Sequence, residues 1–96
     1  MVTAIVPIAG SPAEASHYSL LQPPAITIEL PHARSALGLG IHSVQRDGLR
    51  SITILARHDG GIQIRFSFMG NLPELKTLQV GEAAVKVTIA AADGRP

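Results

Sequence analysis

The sequence predicts a mainly β fold, a small barrel or two-layer sandwich of five to six strands with one or two short helices. Apolar and polar residues alternate over several short segments, as expected for strands with one buried face. Glycine and proline separate these segments at turn-like positions. The length of 96 residues fits a single domain, and the 46% of hydrophobic residues is too high for a disordered chain. A barrel or a sandwich fits this pattern better than a parallel α/β sheet does.

Composition excludes several classes of function. The chain has no cysteine, so disulfides, thiolate metal sites and cysteine nucleophiles are excluded. Its net charge of +1 argues against a dedicated nucleic-acid-binding protein, which usually has a strongly basic face. No apolar run approaches the roughly 18 residues of a membrane span. The first residues lack the basic segment of a secretory signal, which predicts a cytoplasmic protein.

We expect an N-terminal arm, residues 1–25, followed by one β domain, residues 26–96. Within the arm, Ser11, Pro12 and Glu14 have the spacing of a helix start, where serine caps, proline opens the first turn and glutamate reaches back. This predicts a short helix over residues 12–21. Pro23 and Pro24 forbid its continuation.

The β domain is predicted from five alternating segments. A second capping pattern, Asn71 to Glu74, predicts one or two helical turns through about Leu78. Residues 31–40 are expected to form a loop, and residues 93–96 a frayed tail. The predicted strands cover residues 26–30, 41–45, 49–57, 62–68 and 83–90.

The hairpin over residues 49–68 has a predicted register. A three-residue loop, Asp59 to Gly61, brings apolar residues opposite each other, whereas a two-residue turn would pair Ile54 with Arg65. Gly61 would then occupy the left-handed position at the end of the loop. The predicted pairs are Ile52 with Phe68, Ile54 with Phe66, and Ala56 with Ile64.

No catalytic residue, metal site or cofactor is predicted. The histidines do not have the spacings that direct two imidazoles at one metal. His58 and Asp59 adjoin at a hairpin tip, where solvent would screen any activation of a nucleophile. We therefore do not expect an enzyme. The four histidines are His17, His32, His42 and His58.

Two short segments resemble parts of known families. Residues 38–41, Gly-Leu-Gly-Ile, resemble the carboxylate-binding loop of PDZ domains, and residues 78–82 resemble a later turn of that family. The 14 residues after Glu82 are fewer than the remaining PDZ helix and strand need, so a PDZ domain is not expected. Residues 75–85 resemble a phrase of SpoA-type export-apparatus domains and TOBE-like barrels. This resemblance implies a short helix that turns back at a glycine into a buried strand.

Three arginines could form an anion-binding patch. Arg57 and Arg65 share the outward face of the predicted hairpin, and Arg46 precedes it. The competing interpretation is a solvated face, since Asp47 and Asp59 are interleaved and aromatic residues for base stacking are absent. A small-anion or nucleic-acid-binding barrel that uses these arginines is the alternative function.

The preferred function is a non-catalytic binding or assembly module that acts through protein contacts and is homo-oligomeric. Apolar residues are numerous for the surface of so small a chain, and small domains gain stability by sharing a core. We expect the arm or the strand over residues 26–30 to pair across a dimer interface. The alternative is that the arm folds back and covers an edge of its own domain. The candidate interface residues are Ile5, Ile8, Ile26 and Ile28.

Overall fold

Two antiparallel sheets, of four and five strands, make up the fold in a computed structural model of the chain. The structure describes residues 2–36, 38–46 and 48–90, without the side chains of Val2 and Arg46. These residues contain no helix, and the sheets do not close into a barrel. The mainly β prediction is confirmed. The prediction of one or two short helices is wrong. Of the two predicted architectures, a barrel or a sandwich, the barrel is wrong as well.

Nine strands are present in the described residues, more than the five to six predicted. The four-stranded sheet has the order β4-β1-β9-β8, and the five-stranded sheet has the order β2-β3-β7-β6-β5. The strands are β1 Val2–Gly10, β2 Ser16–Leu21, β3 Pro24–Leu30, β4 Ala33–Ser35, β5 Gly40–Arg46, β6 Leu49–Ala56, β7 Ile62–Phe68, β8 Leu75–Val80 and β9 Ala84–Ile89.

One hydrophobic core receives side chains from both sheets. In β7 every second residue is buried, as the alternation predicts. Ile28 and Ile64 are fully buried in the five-stranded sheet, and so are Val6 and Val85 in the four-stranded sheet. The core is aliphatic apart from Phe66 and Phe68.

The predicted strands of the β domain are confirmed, with ends that differ by at most two residues. They correspond to β3, β5, β6, β7 and β9. The expected loop over residues 31–40 contains the short strand β4, which pairs with the end of β1. The predicted tail, residues 93–96, lies outside the described residues.

The predicted helix over residues 12–21 is wrong: residues 12–15 form a single β-turn, closed by a hydrogen bond from the Ala15 N–H to the Pro12 carbonyl at 3.2 Å. Ser11 Oγ does accept a hydrogen bond from the Ala13 backbone N–H at 3.1 Å, so the capping pattern forms locally. Glu14 then adopts a left-handed backbone, with φ of 62°, which ends the turn. The following residues form β2, which pairs with Pro24 to Glu29 of β3. Strand pairing across the β3 edge therefore overrides a helix of low stability.

The predicted arm is part of both sheets. Residues Val2 to Pro7 of β1 pair with β9, and its last residues pair with β4. The arm thus folds back on its own chain, the alternative named above. β2, from the same segment, is an edge strand of the other sheet.

The helical turns predicted from the capping pattern at residues 71–74 through about Leu78 are also absent, because Leu75–Val80 form β8 and pair with β9. Leu75 pairs with Ile89 and Thr77 with Thr88, so two residues of β8 oppose one residue of β9. Leu75 and Leu78 both face the core although they are three residues apart. A capping pattern in the sequence therefore did not by itself specify a helix here, since pairing with β9 supplies the backbone partners instead.

The β6–β7 hairpin has a three-residue loop, but it lies one residue earlier than predicted. The loop is His58-Asp59-Gly60, and the Arg57 N–H donates to the Gly61 carbonyl at 2.8 Å to close it. Gly60 rather than Gly61 has the left-handed backbone, with φ of 94°. The observed pairs are Ile52 with Phe66, Ile54 with Ile64, and Ala56 with Ile62. When the loop moves by one residue, the β7 partner of each β6 residue moves by two residues. A shift of two keeps the apolar residues on the same face, so alternation alone could not distinguish the two registers.

Candidate functional site

A cluster of charged and polar side chains lies on the outward face of the five-stranded sheet and includes Arg57 of the predicted arginine patch. Arg57 directly follows β6, and Asp59 lies at the tip of the hairpin loop. Glu29 and Gln63 form a cross-strand pair between β3 and β7. The strand order β3-β7-β6 therefore brings Glu29 to the same end of the sheet as the hairpin loop.

The Arg57 guanidinium lies between two carboxylates. Its Nε donates to both Asp59 oxygens, at 2.9 and 3.2 Å, and its Nη2 donates to Asp59 Oδ2 at 2.8 Å. Its Nη1 donates to Glu29 Oε1. Hydrogen bonds to Asp59 and Glu29, in that order, raise the pKa of Arg57 above its ordinary value.

Asp59 is held in its ionised form by the same contacts. The hydrogen bonds from Arg57, followed by one from the Gly61 backbone N–H at 3.2 Å, keep the pKa of Asp59 well below its ordinary value. Glu29 has a second donor, because its Oε2 accepts from Gln63 Nε2 at 2.6 Å. The cluster thus joins the hairpin loop to β3 and β7, and the formal charges of Arg57, Asp59 and Glu29 sum to one negative.

This geometry weakens the prediction of an anion-binding patch. The structure does place Arg57 and Arg65 on the same outward face, as predicted. The charge of Arg57 is offset by two carboxylates, however, so a phosphate would meet repulsion there. Arg65 donates from Nε to Thr27 Oγ1 at 3.3 Å in the next row of side chains. The side chain of Arg46 lies outside the described residues.

An open hollow of about 360 Å³ lies beside the cluster. It contains His58, but within the described part of the chain no serine, threonine or cysteine lines it that could serve as a nucleophile. No three His, Cys, Asp or Glu side chains of the described residues are placed to hold a metal ion. The lining residues are Glu29, Leu55, Ala56, Arg57, His58, Asp59 and Gln63.

The four candidate interface residues divide into one surface residue and three core residues. Ile8, Ile26 and Ile28 are at most 4% exposed, within the core of their own chain. Ile5 is 61% exposed. The expected strand pairing across a dimer also lacks a free edge at β3, because β3 lies between β2 and β7. An apolar side chain in the sequence does not distinguish a core residue from an interface residue, and this explains the difference.

Exposed apolar residues at both edges of the five-stranded sheet were not predicted from the sequence. Tyr18 and Leu21 are exposed on β2, at one edge of this sheet. Ile41 and the preceding Leu39 are exposed at the opposite edge, on and before β5. The omission of β2 as a strand hid the first pair. Leu39 and Ile41 could have been found from the alternation of residues 39–45, which places both on one face of the strand.

The described residues contain no helix that could cross a membrane. Comparison with protein families, with characterised proteins and with solved structures finds no match to this chain.

Proposed function

We propose that this chain is a non-catalytic assembly module that acts through protein–protein contacts and forms a homo-oligomer. One observation supports the proposal: most large apolar side chains exposed in the described residues belong to the five-stranded sheet and its edges. They are Tyr18, Leu21, Leu39, Ile41, Leu55 and Met69, which directly follows β7, whereas Ile5 belongs to the four-stranded sheet.

The physical basis is the gain from removing these side chains from water. Full burial of one large apolar side chain contributes about 1.5–3 kcal/mol. Leu21 is 76% exposed and Ile41 is 74% exposed, so contact with a second protein would bury most of each. Edge strands also have backbone donors and acceptors that a second strand can satisfy. A two-layer sandwich would present both edges of the larger sheet in this way.

The test is the molar mass in solution, measured by light scattering over a range of concentrations. We expect a mass about twice the 10.1 kDa of the chain at high concentration, falling towards 10.1 kDa on dilution. A mass of 10.1 kDa up to about 1 mM would contradict self-association, since a weaker dimer has less than about 4 kcal/mol of binding free energy.

The alternative function, binding of a small anion or nucleic acid, has less support because Arg57 is neutralised by Asp59 and Glu29. The salt dependence of binding distinguishes anion binding from apolar assembly. Phosphate contacts weaken steeply as salt concentration rises, whereas apolar assembly does not. The cytoplasmic location and the lack of catalytic activity stay predictions.

A further inference from the structure

We infer that the free edge of β2 is the self-association surface, and that it pairs antiparallel with β2 of a second copy about a two-fold axis. This inference rests on the proposed function and names its contact. It follows from a comparison of the sheet edges. Proteins normally protect exposed edges with short strands, charges, prolines or bulges, because an unprotected edge accepts another chain.

The edges of the four-stranded sheet are protected along β4 and β8. β4 has only three residues, one of them Arg34. β8 contains the bulge between Leu75 and Thr77, and Lys76 lies within it. Beyond β4, the outer edge of β1 is uncovered from Val2 to Val6. This stretch is one residue shorter than β2 and ends at Pro7, which has no backbone N–H and whose carbonyl accepts from the Ala36 N–H.

The β5 edge of the five-stranded sheet is protected as well. Its register with β6 shifts between Ser43 and Arg46. Gln45 within this shift has a left-handed backbone, with φ of 55°. A bulge of this kind bends the strand and interrupts the regular row of donors and acceptors that a partner strand would need.

β2 has none of these protections. All six of its residues, Ser16–Leu21, pair with β3 in an unbroken register. They include no acidic residue, lysine, arginine, glycine or proline. In the part of the chain that the structure describes, no backbone hydrogen bond outside the β2–β3 ladder involves these residues. The backbone groups that point away from β3 are therefore available to a partner.

A second copy of β2 fits this edge for reasons of symmetry and charge. Two antiparallel strands related by a two-fold axis offer each other the same donors and acceptors, so the contact closes as a dimer. A charged edge would repel its own copy, but β2 has no acidic or basic side chain apart from His17. Pairing centred on Ser19 would place Tyr18 opposite Leu20 of the second copy, and His17 opposite Leu21.

The test compares two double variants of equal charge in the full chain. Tyr18→Lys with Leu21→Lys changes β2, at side chains that are 42% and 76% exposed. Leu39→Lys with Ile41→Lys is the matched control at β5, at side chains that are 59% and 74% exposed. We expect the β2 variant to raise the dimer dissociation constant at least about tenfold, through like-charge repulsion at the two-fold axis. The control should stay within about twofold of the wild type.

The outcomes separate this inference from the proposed function. A wild type that is always monomeric contradicts both. A dimer that survives in the β2 variant, or that is lost only in the β5 variant, overturns the β2 contact and leaves self-association standing. Masses that grow beyond the dimer, and that either variant abolishes, would indicate head-to-tail contact between β2 and β5 instead of a closed dimer.

Amide hydrogen exchange on the wild type gives an independent result should the β2 variant fail to fold. We expect exchange over residues 16–21 to slow as concentration rises through the dimer transition, while exchange over residues 40–46 stays constant. Concentration-dependent protection in β5 but not in β2 would overturn the inference.

Discussion

Gly61 is buried against the backbone of Leu30, so closely that a Cβ built on Gly61 would overlap the Leu30 carbonyl oxygen. The same Cβ would lie 2.5 Å from the Cα of Pro31. Glycine is therefore required at position 61 for close approach between the start of β7 and the end of β3, rather than for a left-handed backbone. The neighbouring Gly60 has the left-handed backbone and open space around it.

The two glycines should respond differently to alanine. Gly61→Ala forces the β3 and β7 backbones apart, and we expect a loss of about 2 kcal/mol or more in the free energy of unfolding. Gly60→Ala strains only the loop, at a cost of about 1 kcal/mol. Urea denaturation of both variants measures the difference. An equal cost at both positions would contradict the close approach at Gly61.

The two isoleucines of β1 provide a test of the arm. Ile8 is 4% exposed in the core of its own chain, so Ile8→Ala should cost about 2–5 kcal/mol. Ile5 lies on the same strand but on the surface, so Ile5→Ala should change stability by no more than about 0.5 kcal/mol. Denaturation midpoints at two protein concentrations check this. An Ile8→Ala cost that depends on concentration would show that the arm packs on another chain.

The ionised Asp59 should stabilise the fold at neutral pH and lose this effect in acid. Contacts with Arg57 and Gly61 hold the pKa of Asp59 in the folded protein below its ordinary value. The contribution of Asp59 to stability is therefore fully present at pH values above the pKa that Asp59 has in the unfolded chain. It is lost as pH falls below about 4 and approaches the folded pKa. The melting temperature of wild type should therefore exceed that of Asp59→Asn at pH 7, and the gap should narrow towards pH 2.

Glu82→Gln is the control for this pH series, since Glu82 is exposed and its carboxylate has no hydrogen bond or ion pair in the described structure. Its difference from wild type should stay small at all pH values. A gap for Asp59→Asn that does not change with pH would contradict the ionised contact with Arg57.

The left-handed Gln45 in the β5 bulge should tolerate glycine. A non-glycine residue in this conformation costs roughly 1–2 kcal/mol of stability, which glycine would remove. Glycine also has more conformational freedom in the unfolded chain, and this offsets part of the gain. We expect Gln45→Gly to gain about 0.5 kcal/mol of stability. Gln79→Gly, at an exposed position of β8 without a positive φ, should lose about 0.5–1 kcal/mol. Thermal denaturation of both variants decides, and a loss at position 45 would contradict strain there.

Local sequence determined the strands whose alternation is unbroken. In β7, the apolar side chains of Ile62, Ile64, Phe66 and Phe68 point to one side because a strand directs successive side chains to opposite faces. The same reasoning placed Val85 and Val87 in the core through β9. It was insufficient where a bulge interrupts the alternation, as in β8, and where a cap supports only one turn, as at Ser11.

The candidate sites depended on contacts between residues that are distant in the sequence. The pairing of Arg57 with Asp59 lies within one loop, but the contact with Glu29 arises only because β7 joins β3 to β6. The free edge of β2 arises because its other side is taken up by β3. Apolar composition by itself determined that this chain would bury a core, since removal of apolar surface from water is the main driving force of folding. Which apolar residues lie in that core, and which edge is left open, was decided only by the order of strands in the two sheets.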